Sequence, residues 1–105
     1  MNHIYAVTVF QKISKDPDIK NPYIFDYGDR RCVGWFNDLE EAEFAVEQNI
    51  NNIHDGMYNY AIIEEMLPGI FTKDISRRVY KWELNQYIRI AIPTELKHAS
   101  NFGIG

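Results

Sequence analysis

Along residues 3–11 (HIYAVTVFQ) the side chains alternate with a period of two, yet both sets are largely apolar. Tyr5, Val7 and Val9 fall on one face, and Ile4, Ala6, Thr8 and Phe10 on the other. A strand apolar on both sides predicts a central place in a sheet, covered above and below. Residues 31–36 alternate again, with Cys32, Gly34 and Phe36 opposite Arg31, Val33 and Trp35; Gly34 predicts a bulge or a close approach of the helix. The period then changes. Asn37 with Glu40, or Asp38 with Glu41, has the spacing of a capping box, and acids in a first turn complement the helix dipole. At about 100° per residue, Leu39, Ala42, Ala45, Val46, Ile50 and Ile53 share one stripe, which predicts a helix that docks on the sheet and ends at Asp55-Gly56. Phe44 lies about 140° from Leu39 by the same rotation, on the side facing water.

Strand character returns over 58–66 (YNYAIIEEM), and Leu67-Pro68-Gly69 predicts a turn. A hairpin follows: Arg78 to Leu84, a turn at Asn85-Gln86, and Tyr87 to Ile92, stopped by Pro93. Phe102 and Ile104 predict that the C-terminal tail docks. Residues 14–29 hold two prolines, a glycine and several Asp and Asn residues, which break regular structure, but also Tyr23, Ile24, Phe25 and Tyr27. They read as an irregular arm, a binding lid or a cover for the sheet.

The order β-β-α-β-β-β predicts a single α+β domain over residues 1–105, with a mostly antiparallel sheet of about five strands and one helix on one face. A helix about 10 Å wide cannot cover five strands spaced about 4.8 Å apart. A second protomer is therefore expected over part of the sheet, giving a homo-oligomer with Phe44 at its interface.

With 46% hydrophobic and 25% charged residues the composition is that of an ordinary globular domain, and no apolar run approaches the roughly 18 residues that span a bilayer. The first ten residues lack a basic leader, and the single cysteine, Cys32, cannot form an internal disulfide. A cytoplasmic protein is expected, with Cys32 acting as a small buried hydrophobe.

The net charge of −4 conceals a segregation: residues 36–66 carry eight acids and no Lys or Arg. Every basic side chain flanks this segment, so no continuous basic surface for bulk nucleic acid is expected. His3, His54 and His98 have no spacing that converges on a metal and are expected at the surface. Glu64 and Glu65 are neighbours in a strand and face opposite ways, so they cannot act as a carboxylate pair. Glu65 reads as a surface acid, and Glu64 as a partner for a basic residue of the hairpin. There is no glycine-rich phosphate loop, GxSxG, CxxC or HExxH. No catalytic residue, metal or cofactor is predicted, and the chain is expected to act without catalysis.

Tyr23, Phe25, Tyr27, Arg30, Arg31 and Trp35 place aromatic side chains beside two guanidinium groups, the types that stack on a base and grip a phosphate. Arg77, Arg78 and Arg89 accompany Tyr80 and Trp82 in the same way on the hairpin. Both sets are candidate ligand contacts, and both could equally be sheet cover and cross-strand pairing.

The strings VGWFNDLEEAEFAVEQN, YNYAIIEEMLPGIF and NFGIG resemble those of small, mostly uncharacterised proteins encoded by phages and mobile elements of Firmicutes-type bacteria. The resemblance implies a counter-defence factor, an α+β oligomer that sequesters a cyclic-oligonucleotide or cyclic ADP-ribose type immune signal. The alternative is an inhibitor whose acidic helix and Phe44 contact a host defence protein.

Overall fold

In the computed structural model, residues 3–12, 27–67 and 76–92 are described. Among them five strands form one antiparallel sheet, in the order β2-β1-β3-β4-β5. The strands are β1 (Ile4–Lys12), β2 (Tyr27–Phe36), β3 (Tyr60–Met66), β4 (Ser76–Glu83) and β5 (Gln86–Ile90), with one α-helix, α1 (Leu39–Glu47), between β2 and β3. This is the α+β class that the residue pattern predicts. β1 is apolar on both sides because it lies between β2 and β3. Val7, Val9, Ala61, Ile63, Tyr80 and Tyr87 form the core under the helix, and Ala42 and Val46 close it from above.

The opposite face has a core of its own. Phe10, Tyr60, Ile62 and Val79 pack together, with Ile90 and Ile92 against them, and the Phe10 and Tyr60 rings stack at 5.4 Å. Ala6, Thr8, Glu64 and Met66 are also buried on this side. The width of the sheet leads to the expectation that a second protomer covers part of it; the centre of this face is buried within one chain.

The helix begins where its acids predict. Asp38 is the N-cap, its side chain accepting a hydrogen bond from the Glu40 backbone N–H at 2.9 Å. Its end comes earlier than the apolar stripe implies, at Glu47 rather than at Asp55-Gly56. Asn49, Asn51 and Asn52 adopt φ of 49°, 54° and 53°, the left-handed region that asparagine tolerates better than most residues and that an α-helix cannot contain. Asn49 stabilises the turn that follows, donating to Asn52 Oδ1 at 3.2 Å and accepting from the His54 backbone N–H at 2.9 Å. Ile50 consequently leaves the docking stripe and becomes partly exposed.

Other boundaries differ from the pattern. β2 starts at Tyr27 rather than Arg31, so the last residues assigned to the arm belong to the sheet, with Tyr27 paired to Lys12. Residues 14–26 of that arm, the turn at 68–69 and the tail beyond Ile92 lie outside the described residues. The β4–β5 turn is Leu84-Asn85, not Asn85-Gln86. Both residues have positive φ, 52° and 63°, as a two-residue hairpin turn matched to the sheet twist requires. Cys32 is exposed rather than buried, because β2 ends the described sheet. The register skips Val33 between Val7↔Gly34 and Thr8↔Cys32, which is the bulge expected beside Gly34. Close helix packing is not its cause, since a Cβ at Gly34 would meet nothing within 4 Å. No helix among the described residues is long and apolar enough to cross a membrane.

Candidate functional site

The bulge at Val33 and the asparagine-rich turn meet to form a cavity of about 380 Å³. β2 supplies Arg31, Val33, Trp35 and Phe36, the turn supplies Ile50 to Ile53 and Asp55, and Val7 and Ala45 add apolar wall. Apolar side chains thus form most of the lining, with Arg31, Asn51, Asn52 and Asp55 as its polar members. Trp35 is 61% exposed, a large aromatic surface that the core does not use.

Of the nine residues proposed from the sequence, the six whose side chains are described do not form one site. Arg31, in register with Val9, lines the cavity from the helix face; Trp35 borders it, but its register with Ala6 turns its side chain to the opposite face, because the bulge at Val33 inverts the alternation between them. Arg30 pairs with Phe10 in register and so shares the face opposite the helix, where Arg77 also lies, directly across from buried Glu64 as expected for that acid. Arg78 is on the helix face, its Nε 3.5 Å from Glu43 Oε1 and its Nη1 3.4 Å from Ser76 Oγ. Arg89 is exposed on β5, and four strand spacings, about 19 Å, separate β5 from β2. No single phosphate can meet Arg31 and Arg89 together. Tyr23 and Phe25 lie outside the described residues, and only the backbone of Tyr27 is described.

Asn51, Asn52 and Asp55 were not foreseen as site residues. Their signal was the NINNIHDG run, in which Asn, Asp and Gly at tight spacing mark a chain that leaves the helical conformation and folds back.

Two further clusters shape the helix face. Glu65, expected as a surface acid, is partly buried and accepts hydrogen bonds from Ser76 Oγ at 2.7 Å and from His3 Nδ1 at 2.5 Å. These bonds, led by that from Ser76, hold its carboxyl below the usual range, against the effect of desolvation. Ser76 donates to a carboxylate rather than to an imidazole, so this cluster contains no activated serine. His54, also expected at the surface, stacks on Trp82 at 3.7 Å and meets Tyr87 edge-on at 6.0 Å; desolvation there lowers its pKa. Among the described residues no group of three or more His, Cys, Asp or Glu could hold a metal ion.

These shifts give stability a pH optimum. As pH falls below 6.5 the unfolded chain protonates His54 before the folded chain does, and below 4.5 the same holds for Glu65, so stability falls with acid in both ranges. Burial raises the Tyr80 and Tyr87 hydroxyl pKa values, so above pH 10 the unfolded chain releases protons that the folded chain keeps, and stability falls again. Thermal melts across pH are expected to show a maximum between 6.5 and 10. Glu65→Gln should flatten the limb below pH 4.5 and leave the alkaline limb in place; an unchanged acid limb would contradict this role.

Comparisons with family models, curated proteins and solved structures find no match to this chain.

Proposed function

We propose that this chain is a non-enzymatic binding protein that captures a small nucleotide-type ligand in the cavity between β2 and the Ile50–Asp55 turn. The observation that carries the reading is that Arg31, expected from the sequence to grip a phosphate, lines the same cavity as Asn51, Asn52 and Asp55. A guanidinium binds phosphate oxygens through paired hydrogen bonds. Carboxamides match the donor and acceptor edge of a base, and a carboxylate accepts from a ribose hydroxyl. The volume of about 380 Å³ is at the lower end of the range for small-molecule sites. Recognition therefore rests on one arginine rather than on the wider set.

The exposed lone thiol of Cys32 fits a reducing compartment such as the cytoplasm. The resemblance to mobile-element proteins makes cyclic oligonucleotides and cyclic ADP-ribose isomers the first ligands to try. Native mass spectrometry selects a ligand from such a panel, and calorimetry then compares variants. Arg31→Ala is expected to weaken binding tenfold to a hundredfold, the value of about 1.5–3 kcal/mol for a lost charge-assisted contact. Arg30→Ala, Arg77→Ala and Arg89→Ala should leave it within about twofold of the parent. Full affinity in Arg31→Ala, or no binding across the panel, would overturn the reading.

A further inference from the structure

A second groove, of about 470 Å³, lies beside the cavity at the start of α1. It is lined by Phe36, Phe44, Ala45 and Ile50 together with the acids Asp38, Glu40 and Glu41. We propose that this groove is a docking face for a positively charged segment of another protein that carries a large apolar side chain.

The fold gives Phe44 no work of its own. Ala42 and Val46 are buried against the sheet and Leu39 packs beside them, whereas Phe44 points away and is 59% exposed. A large aromatic at the edge of an apolar groove, with polar residues around it, is the anatomy of a protein contact with a central anchor. Charge selects the occupant. Glu40 and Glu41 are exposed, Glu43 already faces Arg78, and no Lys or Arg occurs between residues 36 and 66. A partner entering the groove thus meets a lining of apolar side chains and acids, which complements Phe, Leu or Trp flanked by Lys or Arg. A second copy docking through the same face would set these acids against themselves, and nucleic acid or an anionic membrane would be repelled. The groove shares Phe36, Ala45 and Ile50 with the cavity next door, but Arg31 does not line it, so the proposal does not depend on nucleotide capture.

Random linear peptides displayed on phage, panned against the intact protein, test this. The recovered peptides are expected to combine Lys or Arg with Phe, Leu or Trp. As synthetic peptides in fluorescence anisotropy they should bind more weakly as salt rises. Phe44→Asp, and separately the pair Glu40→Lys and Glu41→Lys, should each weaken binding by about tenfold or more, while Arg31→Ala should bind as the parent does. Circular dichroism checks that the variants keep their helix; the lysine pair gives up the favourable charge at the helix N-terminus, and Phe44→Asp, off the buried stripe and away from that terminus, tests the groove without it. Neutral or acidic peptides, no peptide above background, or affinities indifferent to the groove variants would overturn the proposal. So would a parent protein that sediments as an assembly which Phe44→Asp dissociates, because a second copy would then own the groove.

Discussion

Ile63→Ala is expected to cost about 2–5 kcal/mol of folding stability, and Ile62→Ala, one position along the same strand, about as much. The two side chains point to opposite faces of β3, and both are 0% exposed. Ile63 belongs to the core beneath α1, and Ile62 to the cluster with Phe10, Tyr60 and Val79 on the other side. A domain of this size has about 5–15 kcal/mol of stability in total, so either truncation removes a large share of it. The comparison between them carries the structural content. A sheet with one real core and one solvent-facing side would lose several kcal/mol at Ile63 and little at Ile62. If instead a second subunit completed the face around Ile62, the cost there would vary with protein concentration. Urea denaturation of both variants at several concentrations is expected to give two large losses, neither dependent on concentration.

β1 and β3 explain why the fold class was legible. Their side chains are apolar on both faces, and strands of that kind need neighbours on both edges and cover on both sides. The helix start was equally plain, since Asp38 and the acids after it match the chemistry of exposed N–H groups at an N-terminus. Its end was not. Ile50 and Ile53 continue the apolar stripe with helical spacing, and that signal outweighed three asparagines whose left-handed backbone in fact stops the helix. At Glu65 the alternation gave the face but not the exposure, and at Cys32 it gave neither, since the bulge at Val33 turns Cys32 away from the side of Gly34 and Phe36. Exposure depends on position in the sheet: Cys32 sits on its last described strand, and Glu65 beside His3 and Ser76.

The candidate site was legible only in part, and for a related reason. Strict alternation put Arg31 and Trp35 on one side of β2, but the bulge at Val33 inverts it, so Arg31 faces the helix side and Trp35, in register with Ala6, the other. Arg77, Arg78 and Arg89 lie on the hairpin at the other end of the sheet, and only strand order could separate them from β2. Asn51, Asn52 and Asp55 reach β2 because the helix stops early, so the error in the helix boundary was also what hid the cavity.

Removing one hydroxyl from each of two buried tyrosines is expected to change stability in opposite directions. Tyr87 and Tyr80 both belong to the core under α1. The Tyr87 hydroxyl donates to the Tyr58 backbone carbonyl at 2.6 Å, tying β5 to the segment that enters β3. Tyr87→Phe leaves that carbonyl without this donor in a buried setting, at a cost of about 1–3 kcal/mol. The Tyr80 hydroxyl is also buried but has no hydrogen-bond partner among the described residues, and desolvation pushes its pKa up to about 12. Its polar group already carries the cost of leaving water without a compensating bond. Tyr80→Phe removes that cost while keeping the ring, and is expected to be neutral or to stabilise the fold by up to about 1 kcal/mol. Both substitutions delete a single oxygen, so differences in volume and helix content are small, and the contrast of about 1–4 kcal/mol isolates the hydrogen bond. Chemical denaturation of the two variants beside the parent measures it. A Tyr80→Phe loss as large as that of Tyr87→Phe would mean that the Tyr80 hydroxyl is satisfied in solution, by an ordered water or by a shift of the helix above it.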